Sequence, residues 1–116
     1  VYDIPSPDFI DSKEQLMLYR IVQEQMNNIR KYAKATKGII QIAIRNRSLY
    51  ISITDNGVGF DTNKKSKGIG LRNIQSRVSF YSGFFNIISA PGQGCVLEAS
   101  IPLNELQLGL LDTKTW

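Results

Sequence analysis

The sequence predicts an α/β fold: a two-layer sandwich with a mixed sheet of about five strands and helices on one face. Three observations lead to it. Short segments alternate apolar and polar residues, as half-buried strands do. Two longer segments repeat apolar residues at helical spacing. These elements follow one another as strand, helix, strand, strand, helix, strand, strand, an order that suits a sheet with its helices gathered on one side. At 116 residues the chain suits one domain with a single core.

Val1–Ile4 reads as a short strand, broken off by Pro5 and Pro7. Ser12-Lys-Glu-Gln15 has the form of a capping box, a hydroxyl at the cap and Gln three residues on. A long helix is predicted from about Lys13 to Ala35. Leu18, Val22, Met26, Ile29 and Ala33 form its apolar stripe. Thr36-Lys-Gly38 ends it with a glycine close behind. Ile40, Ile42 and Ile44 alternate along a strand from Ile39 to Arg45, Asn46-Arg47 is a turn, and Ser48–Asp55 returns as the partner strand. Leu71, Ile74, Val78 and Tyr81 give the core face of a second helix, about Leu71–Tyr81, closed by Gly83. Phe84–Ser89 and Gly94–Ile101 are the last two strands, joined by the turn Pro91-Gly92-Gln93-Gly94. Pro102 closes the final strand. The domain is expected to span 1–103. The tail 104–116 carries Leu106, Leu108, Leu110 and Leu111 without a clean period, leaving an added strand, a helix and an unstructured end equally open.

Composition narrows the function classes. The net charge is +4, and Lys64, Lys65 and Lys67 make the only local basic cluster. With no interleaved aromatics, a nucleic-acid role is not expected. The chain contains no histidine, which removes most zinc sites and every Ser-His-Asp or Cys-His mechanism. The lone Cys95 has no internal disulfide partner and suits a reducing cytosol. No apolar run approaches the ~20 residues of a membrane helix. A chain opening at Val1 in a strand-like stretch is expected to be a piece of a longer polypeptide.

Three groups of residues carry chemistry. Asp55, Gly57 and Gly59 stand at strict two-residue spacing at the end of a strand. Asp55 is an acceptor-only carboxylate suited to an amino group such as adenine's, and the glycines would let a flat ring approach the main chain. Asn56-Gly57 is equally a strong turn signal. On the long helix, Glu24, Asn28 and Lys31 fall within an arc of roughly 60°, away from the core stripe. This is either a solvated face with a favourable Glu–Lys spacing or a ridge for phosphate and metal. In the second reading Asn28 offers an oxygen that magnesium accepts, Lys31 a positive charge, and Glu24 a carboxylate that could orient or deprotonate a nucleophile. Gly68-Ile69-Gly70 opens the second helix, where free N–H groups and the helix dipole favour a bound phosphate, although simple turns share this pattern. Thr62–Lys67 reads as a mobile polar loop, and Arg72 and Arg77 as surface residues.

Taken together, Glu24-x-x-x-Asn28-x-x-Lys31-Tyr32-Ala33, Asp55-x-Gly57-x-Gly59-Phe60, Gly68-x-Gly70-Leu71 and Gly92-x-Gly94 resemble the nucleotide-binding boxes of the ATPase superfamily shared by gyrase, heat-shock protein 90, sensor histidine kinases and MutL. The chain looks most like the catalytic domain of a sensor histidine kinase. Tyr19-Arg-Ile-Val-Gln-Glu24 and Gly68–Arg77 are similar to the branch typified by nitrate-sensing kinases. The resemblance implies the Bergerat-type ATP-binding fold and Mg-ATP as ligand. It implies that Asp55 accepts from the adenine amino group while Gly57 and Gly59 give the ring room. Asn28 would bind magnesium, and Lys31 and Tyr32 would meet phosphate or sugar. The amides of Gly68, Ile69, Gly70 and Leu71 would meet the phosphates, Glu24 would assist the nucleophile, and Thr62–Lys67 would be the ATP lid. Cys95 stands where many relatives have Thr, so a contact to adenine there is expected to be weaker. Because the chain lacks His, the phosphoacceptor is expected on a separate dimerisation segment. A response regulator would lie downstream, and the parent protein would be a homodimer, either soluble or membrane-anchored, with this domain in the cytoplasm. The alternatives are a nucleotide-binding regulatory module without kinase activity and an anti-sigma-type serine kinase.

Overall fold

Two strands of strict alternation form the middle of the sheet. In β3 (Ser48–Asp55) the residues Leu49, Ile51, Ile53 and Asp55 are buried on one face. In β5 (Cys95–Pro102) the matching row is Cys95, Leu97, Ala99 and Ile101. The computed structural model describes residues 2–3, 10–61, 71–104 and 106–108. Within them β1 (Tyr2–Asp3), β2 (Gly38–Arg45), β3, β4 (Phe84–Ser89) and β5 make one sheet in the order β1-β2-β3-β5-β4. The short β1 pairs parallel with β2, and the other pairings are antiparallel. The sheet is therefore mixed and five-stranded, with four full strands and one two-residue edge.

Helices α1 (Ser12–Asn28) and α2 (Leu71–Phe80) pack on the face that carries the buried rows. Ile21, Ile74 and Val78 are completely enclosed there. The opposite face carries a polar cluster at its middle, with Ile39, Phe84 and Ile88 exposed around it. Glu98 accepts from Tyr50 Oη at 3.1 Å with one carboxylate oxygen and from Asn86 Nδ2 at 3.0 Å with the other. The Arg45 guanidinium lies 4.3 Å from the Tyr50 ring centre.

Several local expectations are corrected. The N-cap of α1 is Asp11, not Ser12, and the reciprocal capping box joins Asp11 to Glu14. Aspartate accepts the orphan N–H groups at least as well as serine, so the box shifts by one residue. The buried line of α1 runs through Glu14, Met17, Leu18, Ile21 and Gln25, while Met26 is 41 % exposed. The helix is thus turned slightly from the predicted stripe, and Val22 and Ile29 only border the core. The α-helix stops at Asn28, and Ile29–Ala33 winds as a π-helical turn ended by Lys34 in the left-handed region. Gly38 does not close the helix; it begins β2 and pairs with Asp55.

α2 ends in a Schellman motif: Gly83 N–H donates to the Val78 carbonyl at 3.0 Å and Ser82 N–H to that of Ser79 at 2.9 Å. Ser82, not Gly83, takes the positive φ. Gly83 is required for space, since a Cβ there would overlap the Ser100 carbonyl. Beyond β5, Leu103 and Leu108 are buried and Gln107 Nε2 donates to the buried Glu14 at 2.7 Å. The chain therefore keeps packing on the domain past residue 103. No helix among the described residues is long and apolar enough to cross a membrane.

Candidate functional site

Asp55 ends the buried row of β3, so the strand's own alternation carries a carboxylate to the rim of the core, with only 5 % of the residue exposed. A buried carboxylate needs compensating donors. Gly57 N–H supplies one, at 2.8 Å to Oδ1. Across the ladder Asp55 faces Cys95. Burial pushes the Cys95 thiol up to about 11, the Asp55 charge adds to this, and a bond with the Ser89 side chain opposes it.

The turn after Asp55 is held on two sides. On one, Val58 N–H donates to the Ala33 carbonyl at 2.7 Å, and Asn56 Oδ1 accepts from Thr36 and Lys37 N–H, each at 3.0 Å. Asn56 Nδ2 also donates to Thr36 Oγ1 at 2.9 Å. On the other, Ser89 Oγ accepts from Phe60 N–H at 3.0 Å and donates to the Gly94 carbonyl at 2.7 Å, while Gly92 N–H reaches the Val58 carbonyl at 2.6 Å. As one of the last carbonyls of the π-helical turn, that of Ala33 has no partner within it and accepts from Val58. Such turns are often found where a helix serves a site.

The glycines have a role the sequence did not disclose. A Cβ at Gly57 would overlap the Ala33 carbonyl, and one at Gly59 would overlap that of Ala90. Gly59 also has φ +62°. It is the chain's own backbone that requires glycine at both positions, whatever room they also leave for a ring.

The polar ridge of α1 continues into the π turn, whose last residue, Ala33, accepts from Val58 N–H. Glu24 is mostly covered and pairs with Arg77 of α2, Nη2 to Oε1 at 3.1 Å. Arg77 is thus half-buried in an ion pair rather than a plain surface residue. Asn28 is half-buried, and its Nδ2 lies 3.4 Å from Gln25 Oε1, which turns the amide oxygen to other partners. Lys31 and Tyr32 are exposed on the π turn, and Lys31 makes no ion pair among the described residues. The wider winding takes both off the straight line through Glu24 and Asn28. Leu71, the first residue of α2, borders the core. Gly68, Ile69, Gly70 and the Thr62–Lys67 segment lie outside the described residues.

The turn that follows Asp55 is thus bonded to the segment that follows the polar residues of α1. A family model described as "Histidine kinase-, DNA gyrase B-, and HSP90-like ATPase" matches residues 13–105. The chain belongs to this ATPase family. Within it the chain is similar to the sensor histidine kinase LiaS of Bacillus subtilis, 34 % identical over 87 residues that make up 74 % of this chain and 24 % of that one. It is 36 % identical over 89 residues to the sensor protein VraS of Staphylococcus saprophyticus, covering 76 % of this chain and 26 % of that one. The chain therefore spans about a quarter of the length of these curated relatives. The histidine kinase AdeS of Acinetobacter baumannii has the same fold, with TM-score 0.68 at 18 % identity over 78 % of this chain and 48 % of that one. The Erythrobacter litoralis blue-light activated histidine kinase domain superposes with TM-score 0.64 at 18 % identity, over 83 % and 50 %. The chain is an ATP-binding domain of the histidine-kinase kind.

Sequence reasoning missed three residues that build the site. Asn56 was legible only as a turn former, Ser89 as one more strand residue, and Arg77 as surface. The alternating pattern that places Ser89 and Cys95 on one face of neighbouring strands was present in the sequence, but their pairing was not.

Proposed function

We propose that this chain is the catalytic domain of a two-component sensor kinase of the nitrate-sensor-like branch, binding Mg-ATP and delivering its γ-phosphoryl group to a histidine on a dimerisation segment outside the chain. One observation carries the reading above all. Asp55 stands buried at the end of β3, and its following turn is tied by backbone bonds to the end of the helix that bears Asn28.

Asp55 would accept from the exocyclic amino group of adenine with capacity that Gly57 N–H does not use. Guanine presents a carbonyl at that position, so ATP is preferred over GTP. Cys95, opposite Asp55 in the ladder, would line the adenine end. Lys31 and Tyr32 would meet phosphate and sugar, and the amides of Gly68, Ile69, Gly70 and Leu71 the phosphates. Asn28 fits magnesium because its amide oxygen is one hard ligand, and this ion keeps several waters and takes phosphate oxygens besides. Among the described residues no three His, Cys, Asp or Glu side chains cluster, so a divalent ion here would share its ligands with the nucleotide. When bound, magnesium neutralises charge on the phosphates.

Glu24 would orient the phosphoacceptor imidazole. A nitrogen–phosphorus bond forms as the bond from the γ-phosphorus to the β–γ bridging oxygen breaks, and ADP leaves. Catalysis of this kind rests on positioning and charge more than on covalent chemistry by the protein. A response regulator would take the group next. The parent would be a homodimer with this domain on the cytoplasmic side.

Isothermal titration of the chain with Mg-ATP tests the reading. Binding that is lost in Asp55→Asn supports it. No binding by the wild type, or equal binding by Asp55→Asn, overturns it.

A further inference from the structure

We infer that the outer edge of β4 is a self-association surface, pairing antiparallel with β4 of a second copy of this chain about a two-fold axis at Asn86. The inference is independent of the chemistry assigned to the nucleotide site.

β4 is the last strand in the order β1-β2-β3-β5-β4, so among the described residues one of its sides has no neighbouring strand. Edges of this kind are commonly blunted by a charge, a proline, a bulge or a short length. Phe84-Phe-Asn-Ile-Ile-Ser89 has six residues, none of them charged and none proline, and its register with β5 runs without a bulge. The other edge of the sheet is different. There β1 covers β2 at Ile42 and Ala43, and Asp3 and Arg45 bring charge. On β4, Phe84 and Ile88 are 59 % and 57 % exposed. They lie on the face away from the helices, with Asn86 between them.

The strand is complementary to itself when reversed. With Asn86 opposite Asn86 of the second copy, Phe84 meets Ile88 and Phe85 meets Ile87, each pair occurring twice. Paired positions differ by an even number, so the faces agree. The exposed Phe84 and Ile88 cover one another on the outer face, and the half-buried Phe85 and Ile87 extend the apolar face on the helix side. Asn86 Nδ2 donates to Glu98 Oε1 at 3.0 Å. The amide oxygen and the second N–H are then left for the reciprocal bond with the other Asn86. A slip of two residues sets Asn86 against Phe84 or Ile88 and leaves one end of each strand unpaired. The Glu98 carboxylates of the two copies lie three strand spacings apart, about 14 Å, beyond the ~8 Å screening length of physiological salt. The contact uses each β4 once, so assembly closes at two copies. It is small, which makes the dimer weak and dependent on concentration.

Sedimentation velocity of the 116-residue chain over about a hundredfold range of concentration should show the mass rise from monomer to dimer and stop there. Asn86→Lys sets two ammonium groups opposite each other at the axis while still offering a donor to Glu98. It should weaken the dimer at least ~tenfold at an unchanged melting temperature. Cross-linking reads the register. In a Cys95→Ala background, Asn86→Cys should form a disulfide between copies under mild oxidation, because opposed Cα atoms lie about 4.5–5.5 Å apart. Ile88→Cys alone should not, since position 88 stands roughly 13 Å along the pair from its own copy. Mixed with Phe84→Cys it should. A monomer at every concentration overturns the proposal. So does a dimer that Asn86→Lys leaves intact, which lies on another surface, and so does growth past the dimer, which makes the edge an aggregation site only. Should Asn86→Lys fail to fold, the cross-links decide: none from Asn86→Cys, or equal amounts from Asn86→Cys and Ile88→Cys alone, also overturns it.

Discussion

The backbone of Gly57 lies so close to Ala33 that a single added methyl would overlap the Ala33 carbonyl. The end of β3 and the end of the first helical layer meet at this point with no side chain between them. Gly57→Ala must either push the two apart or break the bond from Val58 N–H to Ala33. Overpacking of this kind costs about 1–3 kcal/mol, so urea denaturation should show a loss of that size. Affinity for Mg-ATP should fall with it, because the two walls no longer meet. Gly38→Ala is the contrast. Its Cβ would have only an ordinary neighbour, the Thr54 carbonyl at 3.7 Å, and the residue lies in a strand. Stability there should be unchanged or slightly higher.

Asn56 makes the same junction with a side chain. Asn56→Ala removes two accepted bonds and one donated bond, all at an exposed turn. Each is worth about 0.5–1.5 kcal/mol net, and water can replace part of the loss at an exposed site. A fall of about 1–2 kcal/mol in unfolding free energy is expected. Asn56→Asp keeps the acceptor and loses only the donor, so it should cost less. Thr36→Val, which removes only the bond from Asn56 Nδ2, should match the cost of Asn56→Asp.

How far the sequence reached is visible in these residues. The alternation in β3 and β5 gave the strands and the side of the sheet that faces the helices, because a one-residue slip would turn Leu49, Ile51 and Ile53 to water. The same alternation carried Asp55 inward. Periodicity located both helices but not their ends: Asp11 rather than Ser12 is the cap through its local bonds with Glu14, and the π turn after Asn28 ends where Ala33 meets Val58. Met26 and Gln25 exchanged the expected environments because one residue of rotation decides which of two neighbours is buried. The ion pair of Glu24 with Arg77 spans 53 positions, and no local pattern announces a contact of that range.

Among the described residues positive φ falls on residues that bear a Cβ at three places: Lys34 after the π turn, Asn46-Arg47 between β2 and β3, and Ser82 after α2. Ser82 has φ 57° at the end of α2, and Arg47 has φ 63° after Asn46 at 50° in the β2–β3 turn. Two successive positive values are those of the hairpin turn that favours Asn-Gly. The left-handed conformation costs about 1–2 kcal/mol for most L residues, partly offset by the greater freedom glycine brings to the unfolded chain. Ser82→Gly and Arg47→Gly should each raise stability by up to about 1 kcal/mol. The sites lie on different turns, so the double variant should gain the sum. Thermal or urea unfolding checks both, and a loss at either site would mean that the serine or arginine side chain itself stabilises the turn.

Cys95 gives the domain a pH dependence whose sign can be worked out. The folded thiol is pushed up to about 11, by burial first and by Asp55 second. In the unfolded chain a thiol ionises near ~8.5. Below that value both states hold the proton and the contribution of the buried thiol is fully present. Between there and 11 the unfolded chain loses its proton first, so it is favoured progressively and stability falls as pH rises. Cys95→Ala removes this dependence and adds a cost of lost packing that does not change with pH. Other alkaline groups, Tyr81 among them, titrate in both proteins and cancel in the difference. Urea denaturation between pH 8 and about 11 should therefore show the advantage of wild type over Cys95→Ala shrinking steadily as pH rises. The same buried, protonated thiol should resist iodoacetamide at pH 8 until the domain is unfolded. A difference that stays constant across the range, or rapid alkylation of the folded domain, would mean the thiol is not held protonated beside Asp55.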